Sequence, residues 1–169
     1  MDEVKNFKKN LWIFLIKFLL VINVLLIVWN FVMSFHIARG NRMHPYIMDG
    51  DLVVVFKLGV YHTEDVVLYR NPNTGDKELS RIVAIGENEV DMTDYGELLI
   101  NGSMREEKVF YPTLEIIDSD MEFPYQMSRG GYFVLDDYRT IGNDSRLFGD
   151  LGEADLIGTV VYVFRRRGI

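Results

Sequence analysis

Residues 11–33, LWIFLIKFLLVINVLLIVWNFVM, are apolar at almost every position and carry one charge, Lys17. Wound as a helix, 23 residues reach roughly 35 Å at about 1.5 Å each, enough to cross a hydrocarbon core of ~30 Å. The flexible stem of Lys17 can return its ammonium toward the headgroups. Beyond this run the pattern changes to short β-branched and aromatic stretches separated by turn residues: 51–58, 64–70, 78–86, 88–92, 96–102, 130–137 and 155–166. NPNTGD (71–76) is a strong turn signal between two of them. Seven short strands without a 3.6-residue period predict a mainly β, antiparallel sandwich or barrel behind one N-terminal transmembrane helix. Residues 103–127 are weakly patterned and are expected to form an insertion or long loops.

Charge orients the anchor and narrows the partners. Lys5, Lys8 and Lys9 precede the span, against Arg39 and Arg42 after it, which places the amino terminus in the cytoplasm. The segment SFHIARG offers no small-x-small cleavage site, so the span is expected to stay as a signal anchor. The expected division is a cytoplasmic 1–10, a membrane-spanning 11–33 and an extracellular β domain over 34–169. Four of the 18 basic and two of the 25 acidic residues fall in the first 33 positions, leaving 14 against 23 in the remainder. So acidic a domain argues against nucleic acid as a partner. There is no cysteine, which excludes disulfides and thiol chemistry. His36, His44 and His62 show no ligand spacing, and no metal or cofactor is expected.

Just past the anchor, GNRMHPYIMDGD (40–51) has the form of an active-site loop: Gly40 and Gly50 suit turns with positive φ, and Pro45 stiffens the chain and restricts His44 to extended geometry. With GD (50–51), EDVVLYRNP (64–72), the strand around Arg81, LLING (98–102) and YFVLDDYRTIGNDSRLFG (132–149), the order of landmarks resembles the bacterial type I signal peptidases, membrane proteases with a Ser-Lys dyad. The resemblance covers about residues 5–169. It implies a signal-peptidase-like β domain with a groove for an extended peptide. Met43, Pro45, Arg81, Asp137, Arg139, Asp144, Ser145 and Arg146 join Gly40 and Gly142 in the framework of that groove. For Asp137, Arg139, Asp144 and Arg146 a structural ion-pair network is the plainer reading.

The departures from the family's pattern fall on its chemistry. Where the resemblance places the serine nucleophile stands Arg42; where it places the lysine base stands Ser80; Gly142 replaces a serine that helps to hold the lysine. Asp136 replaces a glycine, Tyr138 an asparagine, and Glu87-Asn88 a Gly-Asp pair. A Ser-Lys dyad needs a hydroxyl and an amine that is neutral at working pH. A guanidinium has no nucleophilic oxygen and keeps its proton, and an alcohol is no base near neutrality. With no lysine to hold, losing the serine at position 142 is expected to cost nothing.

Other residues offer little rescue. Lys77, three positions from Ser80, points to the opposite face of an extended strand. His44 has no serine or threonine beside it, and Asp49 and Asp51 form an aspartic pair only if Asp51 is not a turn residue. Three readings stay open. The first is a non-catalytic relative that binds an extended peptide; dyad-less proteins of this kind serve in Gram-positive pilus assembly beside a sortase, which implies a pilin, preprotein or sortase as partner. The second is an active peptidase with relocated residues, Ser34, Ser80 or Ser145 supplying the nucleophile. The third is an anchored β module without a groove. The terminal RRRGI is either a headgroup-contacting patch or a solvated strand end, and Phe35, Tyr46, Phe56 and Tyr61 either dip into the interface or pack in the core.

Overall fold

The computed structural model describes residues 2–107, 109–117 and 119–166, with side chains from residue 6 onward. It divides into two units, Met1–Ser34 and Phe35–Ile169. The first is dominated by the helix α1 (Asp2–Val32). Its stretch Asn6–Val32 is long and apolar enough to cross a membrane once. The helix starts well before the apolar run because lysines extend a helix as readily as leucines do. It stops at Val32, and Met33 already belongs to a strand.

The second unit holds two antiparallel sheets. Strands β1 (Met33–Ile37), β2 (Leu52–Phe56), β3 (Val66–Arg70), β4 (Lys77–Ile85), β9 (Tyr132–Leu135) and β10 (Leu156–Phe164) form a six-stranded sheet in the order β1-β2-β10-β3-β4-β9. Strands β5 (Glu89–Met92), β6 (Leu98–Ile100), β7 (Ser103–Met104) and β8 (Tyr125–Gln126) make a smaller one, ordered β7-β6-β5-β8. Each of the seven predicted runs contains a strand. β1, β7 and β8 are additional, and the last two are two-residue strands bordering or lying inside the weakly patterned 103–127.

Alternation explains how the large sheet buries both faces. On β3, Val66 and Leu68 enter one core with Met43, Ile47, Val53, Val55 and Leu79. Val67 and Tyr69 enter another with Ile82, Val134, Leu151 and Leu156. A third core joins Val83, Phe133 and Leu135 of the large sheet to Val90, Met92 and Leu98 of the small one. Gly158 shows why β10 carries a glycine between β2 and β3: a Cβ there would run into the backbone of Phe56. Phe35 and Tyr46 are exposed, whereas Tyr61 is half-buried and meets Tyr132 edge-on with centroids 5.5 Å apart. Of the RRRGI tail, residues 167–169 lie outside the described residues.

Candidate functional site

The loop after β1 is fastened from three directions. Gly40 (φ +73°) donates its N–H to Asp49 Oδ1 at 2.7 Å, and Asn41 Oδ1 accepts from the Asp49 N–H at 3.1 Å. Met43 and Ile47 are buried and bolt the loop to the core beneath. The Arg42 carbonyl accepts the Tyr138 N–H at 2.7 Å, tying the loop to the segment after β9. Pro45 follows a cis peptide bond. His44 Nδ1 lies 3.3 Å from the Tyr111 hydroxyl.

These fastenings hold Arg42 over two carboxylates. Its Nη2 is 2.9 Å from Glu78 Oε1, and its Nε is 3.9 Å from Asp136 Oδ2. Burial pulls the Arg42 pKa down, but Glu78 and Asp136 outweigh it and hold the guanidinium above its ordinary value. Glu78 and Ser80 share a face of β4, two residues apart. Glu78 Oε2 also accepts from Asn71 Nδ2 at 2.8 Å and from the Tyr69 hydroxyl at 3.2 Å, Tyr69 being its cross-strand partner. Ser80 is fully buried; its hydroxyl lies 2.5 Å from Asp136 Oδ1 and 2.8 Å from the Leu79 carbonyl.

Asp136 is the pivot. Its Oδ2 accepts the Asn143 N–H at 3.0 Å, and its own N–H goes to Asp144 Oδ2 at 3.0 Å. Burial first, then the nearby Asp144 charge, push its pKa up to about 7; Ser80, Asn143 and Arg42 oppose the shift without cancelling it. Burial and the Asp136 charge push the Tyr69 hydroxyl strongly upward as well, so it stays a neutral donor.

The remaining predicted residues form the surrounding frame, and not as one network. Arg81 grips Asp137 bidentately, Nε to Oδ1 at 2.8 Å and Nη2 to Oδ2 at 2.7 Å, while Nη1 donates to the Glu64 carbonyl. Its guanidinium also lies 5.3 Å from the centre of the Tyr46 ring. Arg139 reaches outside its own block, to Glu107 Oε1 at 2.6 Å and Thr113 Oγ1 at 2.7 Å. Arg146 pairs with Asp144 through Nε and Nη2 at 2.9 and 2.8 Å and donates to the Arg139 carbonyl at 2.7 Å. Asp144 caps the short helix α2 (Ser145–Phe148), and the buried Ser145 hydroxyl accepts the Val134 N–H. Three ion pairs thus replace the single network expected, because β4 and the 103–127 segment supply two of the partners.

Gly142 also departs from its expectation. A Cβ there would overlap Arg146 Nη2 and Asp144 Oδ2. A glycine at this position is therefore required by the present packing: the buried Arg146–Asp144 pair occupies the space a side chain needs.

The rescue residues are placed apart or engaged otherwise. Lys77 is exposed, away from Ser80. Asp49 holds Gly40, whereas Asp51 accepts the Met48 and Arg166 N–H groups at 3.0 and 2.9 Å, so both are loop clamps. Glu78 and Asp136 were the residues sequence reasoning passed over. Glu78 had a signal, the i,i+2 spacing from Ser80 on one strand. Asp136 had only its substitution for a glycine.

Ala38–Gly40, Arg42 and Asp76–Leu79, with His36, Met43 and Ile47, bound a cleft of about 400 Å³. A two-sheet β domain with a fastened Met-x-Pro loop beside such a cleft defines a protein of signal-peptidase type. The family model for signal peptidase, peptidase S26, matches residues 11–165, and the chain belongs to that family. It is 26% identical over 175 residues to signal peptidase IB of Staphylococcus aureus (strain Mu50 / ATCC 700699), covering 93% of this chain and 91% of that protein. It is 28% identical over 142 residues to signal peptidase I U of Bacillus subtilis (strain 168), covering 76% and 73%. The crystal structure of a signal peptidase I from Enterococcus faecalis V583 superposes with a TM-score of 0.52 at 22% identity, over 62% of this chain and 99% of that one, and shows the shared fold.

Proposed function

We propose that this protein is a non-catalytic signal-peptidase-like factor that binds an extended peptide segment in the cleft beside Arg42 without cleaving it. One observation carries the reading: Arg42 is ion-paired to Glu78 and Asp136, and the same Asp136 holds the hydroxyl of a Ser80 that is closed to solvent. Peptide cleavage by this family's route requires an accessible hydroxyl and a neutral amine to take its proton. Here a permanent cation and a carboxylate stand around a buried alcohol. The Asp136 carboxylate, its pKa raised to about 7, could take a proton, but the hydroxyl it holds, that of Ser80, is closed to solvent.

In this reading α1 crosses the membrane once with the amino terminus in the cytoplasm, as Lys8 and Lys9 favour, and the β domain stands outside. Arg42 and Ser80 at the expected dyad positions, together with the family resemblance drawn from the sequence, favour a chaperone or docking role in pilus assembly beside a sortase, with a pilin or preprotein as the client. The purified full chain in neutral detergent is mixed with a preprotein carrying an intact signal peptide. The expected result is no released leader, together with crosslinking of the preprotein or a pilin to a photoreactive group at position 42. Turnover that disappears on Ser80→Ala or Ser145→Ala would establish the alternative, an active peptidase with relocated residues.

A further inference from the structure

The cleft's rim carries a charge pattern opposite to that of the domain around it. Beyond the anchor the chain holds 23 acidic against 14 basic residues, yet His36, Arg39, Arg42 and Lys77 gather on this one cleft with Asp76 and Glu78 as its acids. Glu78 is already engaged by Arg42, Asn71 and Tyr69. Arg39 and Lys77 are exposed. Arg39 comes from the loop after β1 and Lys77 from the start of β4, and both act on His36: after burial, the Lys77 and Arg39 charges push its pKa down. His36 is thereby held toward its neutral form, and among the described residues lining the cleft the charges outside the Arg42–Glu78 pair are these two cations and Asp76. Buried Ala38, Met43, Ile47 and Leu79 leave an apolar floor. β1, an edge strand of the large sheet, leads into the loop that carries Arg39.

We infer that the cleft takes an extended peptide bearing an aspartate or glutamate, whose carboxylate sits between Arg39 and Lys77 while a small apolar neighbour rests on the floor. Alternate side chains of a strand point to opposite sides, so one segment meets floor and rim together. The inference rests on the peptide-groove reading above and adds the chemistry of the client. Long-range attraction by the two cations also steers such a segment past the acidic remainder of the domain.

The test uses the full chain in neutral detergent and eight-residue Ala/Val/Thr peptides, acetylated, amidated and tagged with an uncharged dye, with Asp, Asn or Lys at one central position. Binding is read by fluorescence anisotropy at low and high salt. The expected order is Asp, Asn, Lys, with Asp about three- to tenfold tighter than Asn, the size that two solvent-exposed charge contacts support. The advantage shrinks in high salt. Arg39→Glu and Lys77→Glu, both at exposed positions, are expected to abolish the preference or turn it toward the Lys peptide. Equal binding of the Asp and Asn peptides overturns the inference and leaves the groove intact. A preference that survives both charge reversals also overturns it. Binding of none of the peptides removes the groove reading and the inference with it.

Discussion

Ser80 Oγ and Asp136 Oδ1 are 2.5 Å apart, a contact between β4 and the end of β9 that spans 56 residues of sequence. It ties the alcohol at a candidate catalytic position to a carboxylate, and the other oxygen of that carboxylate faces Arg42. Arg42, Asp136 and Ser80 therefore form one electrostatic unit, with Glu78 as a second anchor for the cation.

Removing the cation should destabilise the fold. Arg42→Ala leaves Glu78 and Asp136 as neighbouring buried acids. Breaking a fully buried pair costs ~3–5 kcal/mol; with Arg42 about a quarter exposed, a loss of about 1–3 kcal/mol is expected after discounting for solvent. Urea unfolding of the wild type and Arg42→Ala reads it directly, and Arg42→Lys should recover only part, since an ammonium lacks the guanidinium's fork.

Restoring a dyad by two substitutions should fail for an electrostatic reason. In Arg42→Ser/Ser80→Lys the new ammonium lies between Asp136 and Glu78, which hold it protonated and unable to serve as a base. Adding Asp136→Gly removes the nearer charge. Preprotein cleavage should be undetectable in the double variant and higher, though still slight, in the triple one; equal activity in the two would show that Asp136 does not govern the site.

Position 142 should reject any side chain. Gly142→Ala forces the buried Arg146–Asp144 pair apart, with an expected cost of about 2–4 kcal/mol. Its thermal midpoint should fall clearly below that of Gly102→Ala, a control that has open space around its Cβ but bears a positive-φ strain absent at Gly142.

Asp136 should make stability depend on pH. Its pKa is raised from the ordinary carboxylate value to about 7. Between about pH 4 and 7 the folded protein keeps a proton that the unfolded chain releases, so this group's contribution is present at low pH and is lost as pH rises through 7. Asp136→Asn, a neutral mimic of the protonated acid, should gain on the wild type by at least ~1 kcal/mol from pH 4.5 to 7.5 in urea titrations. A constant difference across that range would mean that Asp136 is ionised throughout.

How much of this was legible in the chain follows from the range of each interaction. The apolar run of α1 and the seven β-branched runs announce themselves through local periodicity. The strand β1 alternates Met33, Phe35 and Ile37 with Ser34 and His36, a pattern obscured because it runs on directly from the apolar span, and β7 and β8 were hidden because two residues carry no pattern. That Arg42 and Ser80 stand where the resemblance leads one to expect a serine and a lysine was legible too, from the neighbouring motif residues. Their surroundings were not: Glu78 and Asp136 meet Arg42 only after β4, β9 and the loop are assembled. Arg139 finds Glu107 across 32 residues for the same reason. The sequence by itself determined the long apolar helix, the β class and the residue types at positions 42 and 80, an arginine and a serine where the family resemblance leads one to expect a serine and a lysine, because each is a matter of local pattern or residue chemistry. Only the tertiary structure decided that Arg42 and Ser80 join Glu78 and Asp136 in one ion-paired, hydrogen-bonded cluster, and that position 142 has no room for a side chain. Burial and the pairing of charges distant in sequence exist only once the sheets have closed around them.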